Sequence, residues 1–135
     1  MKLTRENAIL PFTPARDLTG LEGQFVFING DGVLDLYHYY YGGPTSGAPF
    51  GVILVGSNVD EKTSVAIAAG GFSGTLKLKL SAAVNLGDTL EIINTGMVRA
   101  DQESGARTLV GVALESGVAD ELIEAVIFRP IELTS

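Results

Sequence analysis

The chain has no cysteine and one histidine in 135 residues. Without cysteine, neither a disulfide framework nor a thiolate metal site can form. The lone His38 is too little for a typical zinc site, which draws on several His or Cys ligands. Basic residues are scarce as well, nine Lys and Arg against sixteen Asp and Glu, for a net charge of −7. Nucleic-acid binding rests mainly on phosphate neutralisation by Lys and Arg. The balance here has the wrong sign, and no nucleic-acid partner is expected. No apolar run approaches the ~20 residues of a transmembrane helix, so no membrane partner is expected either. Nothing behind Met1-Lys2-Leu3-Thr4-Arg5-Glu6 reads as a secretory signal, which points to synthesis in a cytosol. Both P-loop and G-x-G-x-x-G cradles are missing, and no cofactor is expected.

What is present is apolar residue, glycine and proline. The composition is 46% hydrophobic with a mean hydropathy of +0.30, rich for a chain with no membrane span. That surplus has two outlets: strands buried on both faces, or a subunit interface. Seventeen glycines and five prolines recur at short intervals, the pattern of many short strands joined by tight turns. The length fits one domain with a single core. The charge is uneven, since residues 1–20 carry three basic and two acidic groups while the remainder carries six and fourteen.

The leading segment Asn7 to Gly23 holds Pro11 and Pro14 and shows no helical period. Proline biases it toward extended geometry. We read residues 1–23 as an extended N-terminal arm that packs on a surface through Ile9, Leu10, Pro11, Phe12 and Pro14, and residues 24–135 as one β domain. Gln24 to Ile28 reads as a first strand, Asn29-Gly30-Asp31-Gly32 as a turn, and Val33 to Tyr41 as the return strand. Gly42 to Pro49 is a loop by composition. Phe50 to Val55 and Ser64 to Ala69 are short strands about a polar turn. Thr75 to Ser81 alternates strictly, with Leu76, Leu78 and Leu80 on one face and Lys77 and Lys79 on the other, as a half-buried antiparallel strand does. Thr89 to Ile93, Met97 to Ala100 and Thr108 to Leu114 follow. Asp120 to Phe128 suits a helix through Leu122, Ile123 and Val126, and a strand through Ala125-Val126-Ile127-Phe128. The overall expectation is an all-β sandwich or barrel.

Catalytic constellations are hard to assemble. His38 lies in Leu36-Tyr37-His38-Tyr39-Tyr40-Tyr41 with no carboxylate or serine at a telling spacing. The serines of Gly71-Phe72-Ser73-Gly74 and Thr45-Ser46-Gly47 do not fit G-x-S-x-G. Asn29-Gly30-Asp31-Gly32 fails as an EF-hand loop because the twelfth residue is Tyr40 rather than glutamate. We expect no enzyme, with no catalytic or metal residues. All four tyrosines lie between Tyr37 and Tyr41. Tyrosine couples an apolar body to a polar tip and favours interfaces. On strict alternation Tyr37, Tyr39 and Tyr41 share one face, which makes them candidate interface residues.

The order of segments is also informative. Leu10-Pro11-Phe12-Thr13, Asp17-Leu18, Gln24-Phe25-Val26 and Asn29-Gly30-Asp31-Gly32 lead to Phe50-Gly51-Val52-Ile53, Val84-Asn85-Leu86-Gly87-Asp88 and Leu109-Val110-Gly111-Val112-Ala113-Leu114-Glu115. This series resembles the capsid decoration (cement) proteins of tailed bacteriophages over roughly residues 8 to 130. It departs from them between Tyr37 and Pro49, where a longer Tyr- and Gly-rich stretch replaces a short loop. The resemblance implies a compact antiparallel β-barrel or β-tulip-like sandwich, a C-terminal segment that is a strand, and assembly as a homotrimer. It further implies a place on the outer capsid surface of the virion, with the major capsid protein as partner. The alternative is a small β-sandwich binding module, for example for glycans or a host surface, using Tyr37 to Pro49.

Overall fold

The computed structural model describes residues 8–37, 39–40, 43–44 and 48–134, with the backbone alone at 39, 40, 43, 44 and 73. These residues form strands β1 (Ile9–Phe12), β2 (Phe25–Ile28), β3 (Leu34–Leu36), β4 (Tyr39–Tyr40), β5 (Gly43–Pro44), β6 (Gly51–Val55), β7 (Thr63–Ile67), β8 (Phe72–Lys79), β9 (Thr89–Ile92), β10 (Val98–Ala100), β11 (Arg107–Ala113) and β12 (Leu122–Leu133). A 3₁₀ turn covers Asn94–Gly96, and no α-helix occurs among the described residues. Two antiparallel five-stranded sheets pack as a sandwich, in the orders β1-β7-β6-β2-β3 and β10-β9-β11-β12-β8. Neither sheet closes into a barrel. The edges of the second sheet touch at one parallel bridge, Leu80 to Val98, so that sheet is curled but open.

Period-two alternation sorts the side chains of the first sheet. Phe25, Val52 and Ala66 point between the sheets, into a core shared with Leu78, Leu80, Leu90, Ile92 and Ile123 of the second. Their neighbours Val26, Ile53 and Val65 point the opposite way and form a separate buried cluster with Leu18 and Leu34. The first sheet is therefore buried on both faces, and its outer cover is the leader.

Here the structure corrects the expected arm. From Ile9 the leader is extended, but its partner is the chain's own β7, in the register Ile9–Ala66 through Phe12–Thr63. Residues 13–22 then cross the outer face of the first sheet. Leu34 N donates to Thr13 O at 2.9 Å, Ala15 N to Leu34 O at 2.7 Å and Leu18 N to Ser57 O at 2.8 Å. Leu18 is completely buried. Gly56 makes the crossing possible, because a Cβ there would lie 1.9 Å from Leu18 O. The physical reason for the correction is the outer apolar stripe of Val26, Ile53 and Val65, which needs a cover. The nearest apolar segment supplies it, so the boundary drawn at residue 23 runs through a single packed unit.

Two other expectations resolve differently from their first reading. The return strand expected over Val33 to Tyr41 pairs with β2 only over Leu34–Leu36, with one further bond from Tyr37 N to Phe25 O. Beyond it, Gly23 and Gln24 already serve other partners. Gly23 N donates to Ile53 O, Gln24 O accepts from Ile53 N, and Gly23 O accepts from Lys79 N. With no neighbour left on β2, Tyr39 and Tyr40 pair instead with Pro44 and Gly43, within the stretch that composition reads as loop. The ambiguous C-terminal segment is a strand. Ile123 and Ile127 are buried while Leu122 and Val126 are about 40% exposed, so the side chains alternate with period two.

If Leu18 holds the leader on the sheet, Leu18→Ala should destabilise the protein by about 2–5 kcal/mol. Val59→Ala, at an exposed turn position, should stay within about 0.5 kcal/mol. Urea unfolding of both variants against wild type checks this.

Candidate docking surface

The residues singled out from the sequence fall in two separate places. Ile9 and Pro11 are exposed on β1, Leu10 and Phe12 are half-buried, and Pro14 is buried in a bridge to Leu34. Phe12 packs edge-on against Phe50, with ring centroids 5.3 Å apart. Tyr37 is fully buried in the core between the sheets. Tyr39 contributes backbone to β4, and Tyr41, His38 and Ser46 lie outside the described residues. Since β1 and β3 are opposite edges of the first sheet, the leader residues and Tyr37 are not brought together. Of these, Ile9 and Pro11 remain accessible for contact.

A larger apolar surface lies where sequence reading did not look, on the outer face of the second sheet. β12 is its organising strand, paired with β11 on one side and β8 on the other. Val126 stands opposite Val112 on β11 and Thr75 on β8. Ile131 stands opposite Leu109, which itself faces Glu91 on β9. Val126, Ile131, Leu122 and Leu114 are 39–48% exposed, and Leu109 and Val112 are half-exposed. Side chains directly across an antiparallel pair sit about 5 Å apart, so Val112–Val126 and Leu109–Ile131 are two apolar cross-strand pairs, with the Glu124–Lys77 pair set between Val126 and Leu122. The first sheet has its outer stripe covered by the leader, whereas this face has no cover among the described residues. A shallow groove of about 450 Å³ continues it past the β8 edge, lined by Leu122, Glu124, Lys77, Thr75 and Leu54 among others.

The rim is polar and partly rigid. Lys77 and Glu124 approach to 3.8 Å in an exposed pair, of a kind that contributes about 0–1 kcal/mol. Glu91 is held more firmly. Its side chain is 4% exposed, with Arg99 at 3.5 Å, and it accepts from Gln102 N at 2.6 Å. Asp101 accepts from Glu103 N at 3.0 Å and from Arg107 Nε at 2.5 Å. Burial of Asp101 opposes its ionisation, but the Glu103 N–H and the Arg107 guanidinium outweigh that and hold its carboxyl below the ordinary value of 3.8. These bonds stiffen the loop between β10 and β11 at one side of the open face.

Among the described residues no group of three or more His, Cys, Asp or Glu is placed to hold a metal ion, and no helix is long and apolar enough to cross a membrane. Asn29 Oδ1, considered above as a calcium ligand, instead accepts from Asp31 N at 2.9 Å and Val33 N at 3.4 Å within the β2–β3 turn. The signal for the open face was present in the sequence as the apolar residues Leu109, Val112, Leu114, Val126 and Ile131. A strand covered on both faces carries the same signal, so the pattern could not say which strands would be left bare.

A carboxyl held low when folded stabilises the fold above the unfolded-state value, and that contribution disappears as pH falls through the folded value. Asp101→Asn should therefore cost about 1.5–3 kcal/mol at neutral pH, with the gap to wild type closing in strongly acidic buffer. Urea unfolding at both pH values reads the difference.

No protein-family model and no curated protein sequence matches this chain.

Proposed function

We propose that the chain is a structural protein that decorates the outer surface of a tailed-bacteriophage head, docking on the major capsid protein and stabilising contacts between neighbouring subunits. The observation that carries this reading is the open outer face of the second sheet, where the cross-strand pairs Val112–Val126 and Leu109–Ile131 keep Val126 and Ile131 substantially exposed. Contiguous exposed apolar area of this kind marks a surface that meets another protein. A part whose role is to hold others together needs such a surface and needs no assembled reaction centre. The ordered segment series from Leu10 to Glu115 supports the capsid assignment. The acidic charge of the body, −7 over the chain, suits a protein that sits on a particle without adhering to packaged nucleic acid. Assembly as a homotrimer belongs to the same proposal, since three weak contacts made together give a large avidity.

The test uses expanded heads that lack the protein. Wild type should sediment with them as a trimer and raise their resistance to heat. Val126→Asp combined with Ile131→Asp should remain folded, because both positions are solvent-exposed, yet lose roughly tenfold or more in head binding. A wild-type protein that stays monomeric and fails to sediment with the heads would sink the reading. So would a double variant that binds as well as wild type, since it would show that the open face is not the contact.

A further inference from the structure

The β2–β3 turn, Asn29-Gly30-Asp31-Gly32, sets an asparagine whose side-chain oxygen accepts from the backbone directly before an exposed glycine. We propose that it is a self-modifying site, at which the Asn29 side-chain amide is lost by attack of the Gly30 backbone nitrogen, with water as the only co-reactant. This holds independently of any partner surface.

The reaction is intramolecular acyl transfer. The Gly30 nitrogen bonds to Asn29 Cγ, the Cγ–Nδ2 bond breaks, and Nδ2 leaves as ammonia carrying the proton that the Gly30 nitrogen gave up. A cyclic succinimide remains. One water then adds at either ring carbonyl, giving aspartate at position 29 or isoaspartate, in which the main chain runs through the former side-chain carbonyl.

Three observations favour the reaction here. The attacking nitrogen is free, because Gly30 N–H donates to no group among the described residues. It is also unhindered. Gly30 is exposed, and a Cβ built on it would meet nothing within 4 Å. Finally, the acceptor is polarised. Asn29 Oδ1, where negative charge develops as Cγ becomes tetrahedral, already receives Asp31 N–H at 2.9 Å and Val33 N–H at 3.4 Å. Preplaced backbone donors at a developing oxyanion are the usual means by which proteins accelerate acyl transfer.

Neighbouring groups lack one or another of these features. Asp31 also precedes a glycine, but Gly32 N is engaged, donating to Asn29 O at 2.9 Å. Asn58 Oδ1 accepts from Asp60 N at 3.0 Å in the same local geometry, yet it is followed by Val59, whose β-branched side chain crowds the nitrogen. Asn85 and Asn94 are followed by Leu86 and Thr95. The consequence at Asn29 is structural. Isoaspartate lengthens the main chain inside a hairpin closed by Asn29 N to Val33 O at 2.9 Å, which displaces the β3 register. β3 carries Leu34, to which Thr13 and Ala15 are bonded, so the change also loosens the leader.

The experiment is incubation of native protein beside a urea-denatured aliquot, at neutral and mildly alkaline pH, followed by peptide mapping with isoaspartate detection. In the native sample the Asn29 peptide should gain the amide-to-acid mass difference, faster at the higher pH, while Asn58, Asn85 and Asn94 keep their amides. Gly30→Ala, at a position without positive φ, should leave the fold intact. It should slow conversion by roughly tenfold, about 1.4 kcal/mol on the barrier. The proposal is overturned if native Asn29 keeps its amide through an incubation that converts it in the denatured aliquot. Equally, it is overturned if Gly30→Ala converts as fast as wild type.

Discussion

Much of this structure depends on the seating of Leu18 on the outer face of the first sheet. That face carries Val26, Ile53, Val65 and Leu34, all buried, and left in water they would cost about 1.5–3 kcal/mol each. The leader covers them because the chain can come very close at Gly56, and because Ala15 N and Thr13 O find backbone partners at Leu34 of β3 while Leu18 N finds Ser57 O just past β6. Glu22 adds a bond from Gly56 N at 2.9 Å. With the leader in place, β1 is delivered to the free side of β7, and Gly23 arrives at the corner where it joins Ile53 of one sheet to Lys79 of the other. The seating of one leucine thus fixes an edge strand, a buried face and a corner between the sheets.

The two sheets answer the surplus of apolar residues in different ways. In the first, both faces are covered from within the chain. In the second, only the inner face is covered, by the core that includes Leu78, Leu90 and Ile123, and the outer face keeps Val126 and Ile131 substantially exposed. The scaffold beneath that face is stiff. β12 pairs with β8 over Leu122–Ile127 and with β11 over Ala125–Ile127 and Ile131–Leu133, and Glu91, Arg99, Asp101 and Arg107 tie down the adjoining loop. A rigid sheet that presents apolar pairs loses little conformational freedom on docking, which favours a structural contact.

The strand pattern was legible in the residues wherever one physical signal dominated. Leu76, Leu78 and Leu80 alternate with Lys77 and Lys79, and the structure buries the leucines and leaves Lys77 exposed. The turn at Asn29 to Gly32 was equally plain, since its residues tolerate positive φ and its asparagine bonds the backbone. Where two signals competed, the residues alone did not decide. Leu122, Ile123 and Val126 fit a helical stripe as well as a strand. Tyr37 to Tyr41 reads as one strand until the partners of Gly23 and Gln24 are known.

By itself, then, the sequence determined the all-β class, the absence of thiol chemistry, the acidic charge and most strand positions, because each follows from local alternation, turn chemistry or composition. The tertiary structure alone decided which apolar faces are covered. Coverage depends on contacts between residues far apart in the chain, such as Leu18 against Ile53 or Val112 against Val126, and local periodicity carries no record of distant neighbours. The same physical limit made an extended leader look like an arm. Its extension is a local property of Pro11 and Pro14, whereas its destination was set by the bare stripe that Val26, Ile53 and Val65 create once the sheet has formed.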